Sequence, residues 1–394
     1  MKLALLCSGL GHIQRGHEIF ARDLYSLLSP HMDITLFKGG GVPAEREVVV
    51  PNVPRNAPQL QHVHVAVSPK WAAAKREQEQ VRIEGESFAH GALLPLLQGG
   101  FDVLHCLEQE VCNVLYDNRH LFERPPKIVF ANGGAIPARD LPRCDFVQEH
   151  TAYNLARSAR GKSFMVPHGV DMQRFRPGIA TDFRARHGIP AGARLVLSVG
   201  SICYWHKRMD HVIREVAALP GVWLAIVGQE TADTPAIQAL GRQLRGERIV
   251  FTKMSHADLP QAYAAADVFV LGSLFETFGI VYIEAMAMGL PVVCTQHDNH
   301  RQIVQHGVFI DMKQLGALTT ALRDTPPETL AELGRRGRDV VAQHYDLQVL
   351  RQRYLDEYAR VAAAPCSLPR YTLGSRLRAH AGNALRQAAQ WLPR

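Results

Sequence analysis

The sequence predicts an α/β protein of two Rossmann-like domains, each a parallel sheet covered by helices, facing one another across a cleft. Three observations predict it. At 394 residues the chain exceeds what one compact core usually holds. Short apolar runs alternate with helix-period segments almost throughout, the pattern of parallel strands joined by crossover helices. A segment with two prolines and two glycines, VPHGVDMQRFRPG (166–178), divides these runs into two series. The expected divisions are a first domain over 1–168, a second over 169–345, a helix over 346–364 packing back toward the first domain, and a tail over 365–394.

In the first series the strand-like runs are KLALLCS (2–8), DITLFKG (33–39), HVHVAV (62–67), DVLHCL (102–107), KIVFANG (127–133) and CDFVQEH (144–150). HIQRGHEIFARDLYSLL (12–28) spaces its apolar residues along one helix face. WAAAKREQEQVRIEGESF (71–88) reads as a charged helix with a solvated face. The second series comprises LVLSVGS (195–201), VWLAIVGQ (222–229), RIVFTKM (248–254), DVFVLGS (267–273) and PVVCTQ (291–296), with helical patterns such as HVIREVAAL (211–219) between them.

Composition narrows the class. Hydrophobic residues make up 47% and charged residues 21%, as in ordinary globular proteins. No apolar run approaches the ~20 residues that span a bilayer. The N-terminal run breaks at Gly9, too soon for a signal-peptide core, so a cytoplasmic location is expected. Seven cysteines without a C-x-x-C pair suggest reduced, buried thiols rather than disulfides or zinc. There is no D-x-D, and no metal site is expected. Five arginines and no acid fall after Cys366, which is +5 of the net +7, so the body is nearly neutral and not a nucleic-acid binder.

Chemistry concentrates in ETFGIVYIE (276–284). Two carboxylates stand in the most apolar stretch of the chain, between strand DVFVLGS and a helix expected from Thr277–Gly279. Burying unpaired carboxylates costs several kcal/mol, so packing alone does not account for both. The free N–H groups around Phe278, Gly279 and Ile280 favour an anionic or hydroxylated ligand, and the carboxylates suit sugar hydroxyls.

These residues carry a family resemblance. ETFGIVYIEAMAMGLPVVCT resembles the Glu–seven residues–Glu signature of retaining family 4 glycosyltransferases (glycosyl transferases group 1). VPHGVDMQRFRP, SVGSICYWHKRMDHVI, AIVGQE, RIVFTKMSHADLPQAYAAADVFVLGS and HYDLQVLRQRYLDEY resemble further family segments in order, so that the likeness covers about residues 1–364. It implies the GT-B fold: an acceptor-side first domain and a nucleotide-sugar-binding second one. It also implies that Glu276 contacts the donor sugar, beside Thr277, Phe278, Gly279 and Ile280, and that Glu284 accepts from the ribose. Lys207 would neutralise the diphosphate with Gly200 nearby, and Gly11 would let the first-domain backbone approach. Gly228 and Met254 would border the nucleotide.

Two positions depart from the family pattern. Ser201 stands where many relatives have arginine, which leaves Arg208 as a candidate for the second charge. His105 stands near a family histidine position; it reads either as a catalytic-site residue or as a core histidine. Asn132-Gly133-Gly134, His297 and His300 are further candidates for lining the cleft. The implied reaction moves a sugar from a UDP-, GDP- or ADP-sugar to a hydroxyl acceptor with retention, without cofactor or metal, in bacterial glycan or glycolipid synthesis. The alternatives are a catalytically impaired binding protein or another GT-B enzyme such as an epimerase. The basic tail, with its leucine and alanine spacing, suits either an anionic membrane surface at the inner face of the membrane or docking on protein.

Overall fold

The computed structural model describes residues 1–366 except Gln14, together with the isolated Ala381. The tail considered above therefore lies almost wholly outside the described residues. Among the described residues no helix is long and apolar enough to cross a membrane.

Thirteen strands among these residues form two wholly parallel sheets. The first contains β1 (Lys2–Cys7), β2 (Asp33–Lys38), β3 (Glu47–Val49), β4 (Val103–Cys106), β5 (Lys127–Ala131), β6 (Phe146–Glu149) and β7 (Ser163–Met165), in the order β3-β2-β1-β4-β5-β6-β7. The second contains β8 (Leu195–Val199), β9 (Trp223–Val227), β10 (Ile249–Thr252), β11 (Val268–Val270), β12 (Val292–Thr295) and β13 (Val308–Ile310), in the order β10-β9-β8-β11-β12-β13. The central strands are apolar end to end, β1 and β8 being buried over nearly their whole length, because helices cover both faces. Each sheet has a hydrophobic core on either side. The fold is GT-B.

Three expectations change. HVHVAV (62–67) is not a strand: a 3₁₀ turn spans Pro58–His62, and the third strand in chain order is Glu47–Val49, at the edge of the sheet. Its alternation came from exposed histidines, with no sheet neighbour to bury the valines. The edge strands β7 and β13 were not anticipated, being three residues long and only partly buried. The charged helix runs Pro69–Gly99 and does not merely present a solvated face, since Glu84, Gly85 and Phe88 are buried in it. Six cysteines are buried free thiols, whereas Cys366 is exposed.

The chain crosses between the sheets twice, side by side. Val170 N–H donates to Tyr345 O (2.8 Å) and Leu347 N–H to Val170 O (3.2 Å). Beyond this crossing, helix Leu347–Ala363 packs on helix Gly16–Leu28 and β4. Its Tyr354 hydroxyl accepts from Gln148 (3.1 Å), and its Tyr358 hydroxyl lies 2.7 Å from His105 Nδ1.

Candidate functional site

Strand order determines where ligands can enter. In the second sheet β8 lies between β9 and β11, so the chain leaves β8 toward one side and β11 toward the other. A crevice opens at such a reversal, outside the carboxyl ends of the strands. The loop after β8 carries Lys207, and the loop after β11 carries Glu276.

These two side chains meet. Lys207 Nζ lies 2.6 Å from Glu276 Oε1, and His206 Nε2 lies 3.5 Å from Oε2. The Glu276 side chain is 5% exposed. Burial by itself would raise its pKa; Lys207 and His206 outweigh burial and hold the carboxyl down at about 2, so it is ionised. Its backbone is fixed as well, with the N–H donating to His300 Nε2 (2.8 Å) and the carbonyl accepting from Asn299 Nδ2 (2.8 Å). Burial keeps His300 neutral, its pKa lowered to about 4.

Gly200 and Gly228 make this geometry possible. The Lys207 stem crosses Gly200, where a Cβ would stand 2.9 Å from Cε. A Cβ on Gly228 would fall within the carbonyl oxygen of Gly200, so the ends of β8 and β9 could not approach.

After Glu276 the chain turns into helix Ile280–Ala287. Thr277 O accepts from Asn299 (2.9 Å) and from Asn154 of the first domain (3.2 Å). Phe278 is buried, its ring centroid 5.0 Å from that of His168 in the crossing segment. Gly279 caps the helix at φ 76°, in the left-handed region; a Cβ there would also lie 2.7 Å from the Tyr282 ring. Glu284 is the fifth residue of this helix, little more than one turn in, because the helix begins at Ile280 rather than at Thr277–Gly279. Its Oε1 lies 2.8 Å from His256 Nε2, and its Oε2 accepts from Tyr263 Oη at 2.8 Å.

Glu284 lines an interdomain cavity of about 170 Å³ with Asp23, Arg174, Phe175, His256 and Gln348. Ile280 lines it too. Burial raises the pKa of Asp23 to about 6, against the opposing pull of His256 and Arg174. The cavity thus collects acceptors and donors for a polar ligand between the two domains.

The other candidates are dispersed. Met254 is half-buried after β10, two residues before His256. Gly11 is exposed on the loop after β1 and packs over Gly40. Arg208 is turned away from Glu276: it sits at φ 50° and donates to Gly272 O (3.3 Å) and Met312 O (2.7 Å). His105 is apart from the cluster, fully buried against Tyr358, with its pKa lowered to about 3 by burial. Asn132 is buried, exchanges hydrogen bonds with the Ile136 backbone and donates to Glu149. His297 caps helix Asp298–Val304 by accepting from Asn299 N–H.

Sequence reasoning passed over His206, Asn299, His256, Tyr263 and Asp23. The first four lay inside or beside segments already singled out, but nothing in the spacing showed which way they point. Asp23 had no signal, being one polar residue on an amphipathic helix.

Residues 180–337 match the family model described as glycosyl transferases group 1. A D-inositol 3-phosphate glycosyltransferase of Mycobacterium tuberculosis is 38% identical over 135 residues, 33% of this chain and 28% of that protein. The match thus spans little more than a quarter of that relative. Among solved structures, sucrose-phosphate synthase from Thermosynechococcus elongatus superposes with TM-score 0.74 at 20% identity, over 92% of this chain and all of that one. Anabaena HepE in complex with UDP-glucose gives TM-score 0.69 at 15% identity, over 91% of this chain and all of that one.

Proposed function

We propose that this chain, which carries a glycosyl transferases group 1 domain within a GT-B fold, moves a sugar from a nucleotide-sugar to a hydroxyl acceptor with retention of configuration. One observation carries the reading: a buried, ionised glutamate held by a lysine at the switch point of the second sheet, with a second glutamate lining the interdomain cavity. That HepE was solved with UDP-glucose supports a nucleotide-sugar as donor.

The roles follow from the chemistry of the groups. On donor binding Glu276 accepts from the sugar hydroxyls, Lys207 shifts to the diphosphate, and Glu284 accepts from the ribose hydroxyls. The C1–oxygen bond to the phosphate breaks, and the acceptor oxygen bonds to C1 on the same face. The acceptor's proton passes to the departing phosphate oxygen. Lys207 stabilises the charge that grows on that phosphate, and the cleft between the domains holds the acceptor beside the departing phosphate on one face of the sugar. The basic tail suits an anionic membrane surface, which would bring the enzyme to a lipid-linked acceptor. Liposome flotation of full-length protein against a chain ending at residue 365 tests that; equal flotation would remove it.

The primary test pairs donor binding with turnover. Thermal shift against UDP-, GDP- and ADP-sugars should single out one donor. Glu276→Ala should abolish transfer from it while remaining folded by circular dichroism, at a lowered melting temperature because Lys207 loses its buried partner. Wild-type turnover in that variant would overturn the assignment.

A further inference from the structure

Both oxygens of Glu276 face a group that can carry positive charge. Lys207 lies 2.6 Å from one and His206 lies 3.5 Å from the other. The next cation in the segment, Arg208, is committed to the carbonyls of Gly272 and Met312. The His206 ring stacks on the Trp205 indole, with centroids 5.1 Å apart and planes 23° from parallel. At 37% side-chain exposure it remains open to a ligand, whereas Lys207 is 12% exposed. The imidazole is therefore supported on one face, aimed at the carboxylate, and partly exposed.

A diphosphate carries two negative groups, and a single ammonium is a compact point charge that meets only part of them. We propose that His206 is the second diphosphate-binding residue, held beside Lys207 by Glu276 until a donor takes both. The inference rests on the function proposed above. What the site needs here is a second positive group, so an arginine at this position should substitute for it and an uncharged side chain should not.

The groups facing His206 are Glu276 from the loop after β11, Lys207 beside it, and the uncharged Trp205 indole. Beyond the carboxylate lies His300, which burial keeps neutral down to about pH 4, so it contributes no change near neutrality. Asp23 lines the cavity at the Glu284 end and titrates at about 6, which would repel a diphosphate increasingly as pH rises. The measurement is therefore repeated in an Asp23→Asn background.

The test is calorimetric binding of UDP-glucose and GDP-mannose at pH 6 and pH 8. Sugar esters are used because a terminal phosphate monoester takes up its own proton near pH 6. In the variant series, His206→Ala should weaken binding roughly tenfold at pH 6, the size of one charge-assisted contact. His206→Arg should bind tightly at both pH values. His206→Asn, which keeps a hydrogen-bonding group without the charge, should behave as the alanine variant. Lys207→Ala should be weak at both. If the asparagine variant binds as wild type at pH 6, the role is structural and the proposal fails. If wild type binds and none of the His206 variants differs from it, the proposal fails while the functional reading stands. If wild type binds no UDP-, GDP- or ADP-sugar, the functional reading falls and this inference with it.

Discussion

At the scale of single residues, the Lys207–Glu276 pair has two separable consequences. Removing the ammonium leaves a buried carboxylate with only His206 opposite it, and removing one partner of a buried pair is strongly destabilising. Lys207→Ala should therefore lower the melting temperature and weaken nucleoside diphosphate binding at least tenfold, about 1.4 kcal/mol. Unchanged affinity in that variant would remove Lys207 from the site. The pair also has a pH signature. Glu276 sits at about 2 when folded against an ordinary 4.5, so its stabilising contribution is present above 4.5 and is lost as pH falls from 4.5 toward 2. Melting curves between pH 2 and pH 5 should show that loss in the wild type and much less of it in Lys207→Ala.

His105 gives the opposite case. A lone histidine at a strand position leaves two readings open in the sequence; the structure puts its Nδ1 against Tyr358, 253 residues away. Tyr358→Phe should leave that buried nitrogen without its partner and destabilise the protein by about 1–3 kcal/mol in chemical denaturation. Nucleotide-sugar affinity should stay at the wild-type value. A drop as large as that of Lys207→Ala would put His105 back in the site.

At the scale of elements, the loops after β8, β9 and β11 work only because their backbones come unusually close. Gly228→Ala cannot fit without parting the ends of β8 and β9, since its Cβ would coincide with the Gly200 carbonyl. It should cost both stability and donor binding. Gly192→Ala, which has nothing within 4 Å of the added methyl, is the matched control and should change neither. Equal melting temperatures for the two variants would show that the strand ends can part freely. The elements themselves were largely legible. Buried central strands announce themselves as apolar runs, and helix Ile280–Ala287 begins where its left-handed glycine stands. The three-residue edge strands were not legible, because short, half-buried segments carry no period.

At the scale of the whole molecule, buried histidines cluster where the domains join. His150, at the end of β6, stacks on His168 of the crossing segment with ring centroids 3.8 Å apart, and His168 in turn packs on Phe278 beside the candidate site. Burial lowers His105 and His150 to about 3 and His168 well below the ordinary 6.5. The unfolded chain therefore binds more protons than the folded one below 6.5. Stability is fully present above that value and is lost progressively as pH falls toward about 3. Buried Glu108 and Asp23, whose pKa values burial raises to about 8 and about 6, act in the opposite sense. The decline from pH 7 to pH 4 should therefore be shallower in a His150→Phe, His168→Phe variant than in the wild type, and equal slopes would mean that these rings are hydrated in solution.

By itself the sequence determined the two parallel sheets, the crossing near residue 168 and the stretch that carries Glu276 and Glu284, because all of these are written in local pattern: apolar period, turn residues and the company a carboxylate keeps. Only the tertiary structure decided which charges face one another. That His206 rather than Arg208 joins Lys207 at Glu276, that Asp23 reaches the Glu284 cavity, and that His105 is held by a tyrosine of the returning helix all depend on loops and helices far apart in the chain. A side chain's direction is fixed by the packing of its neighbours, and no spacing within a single segment encodes it.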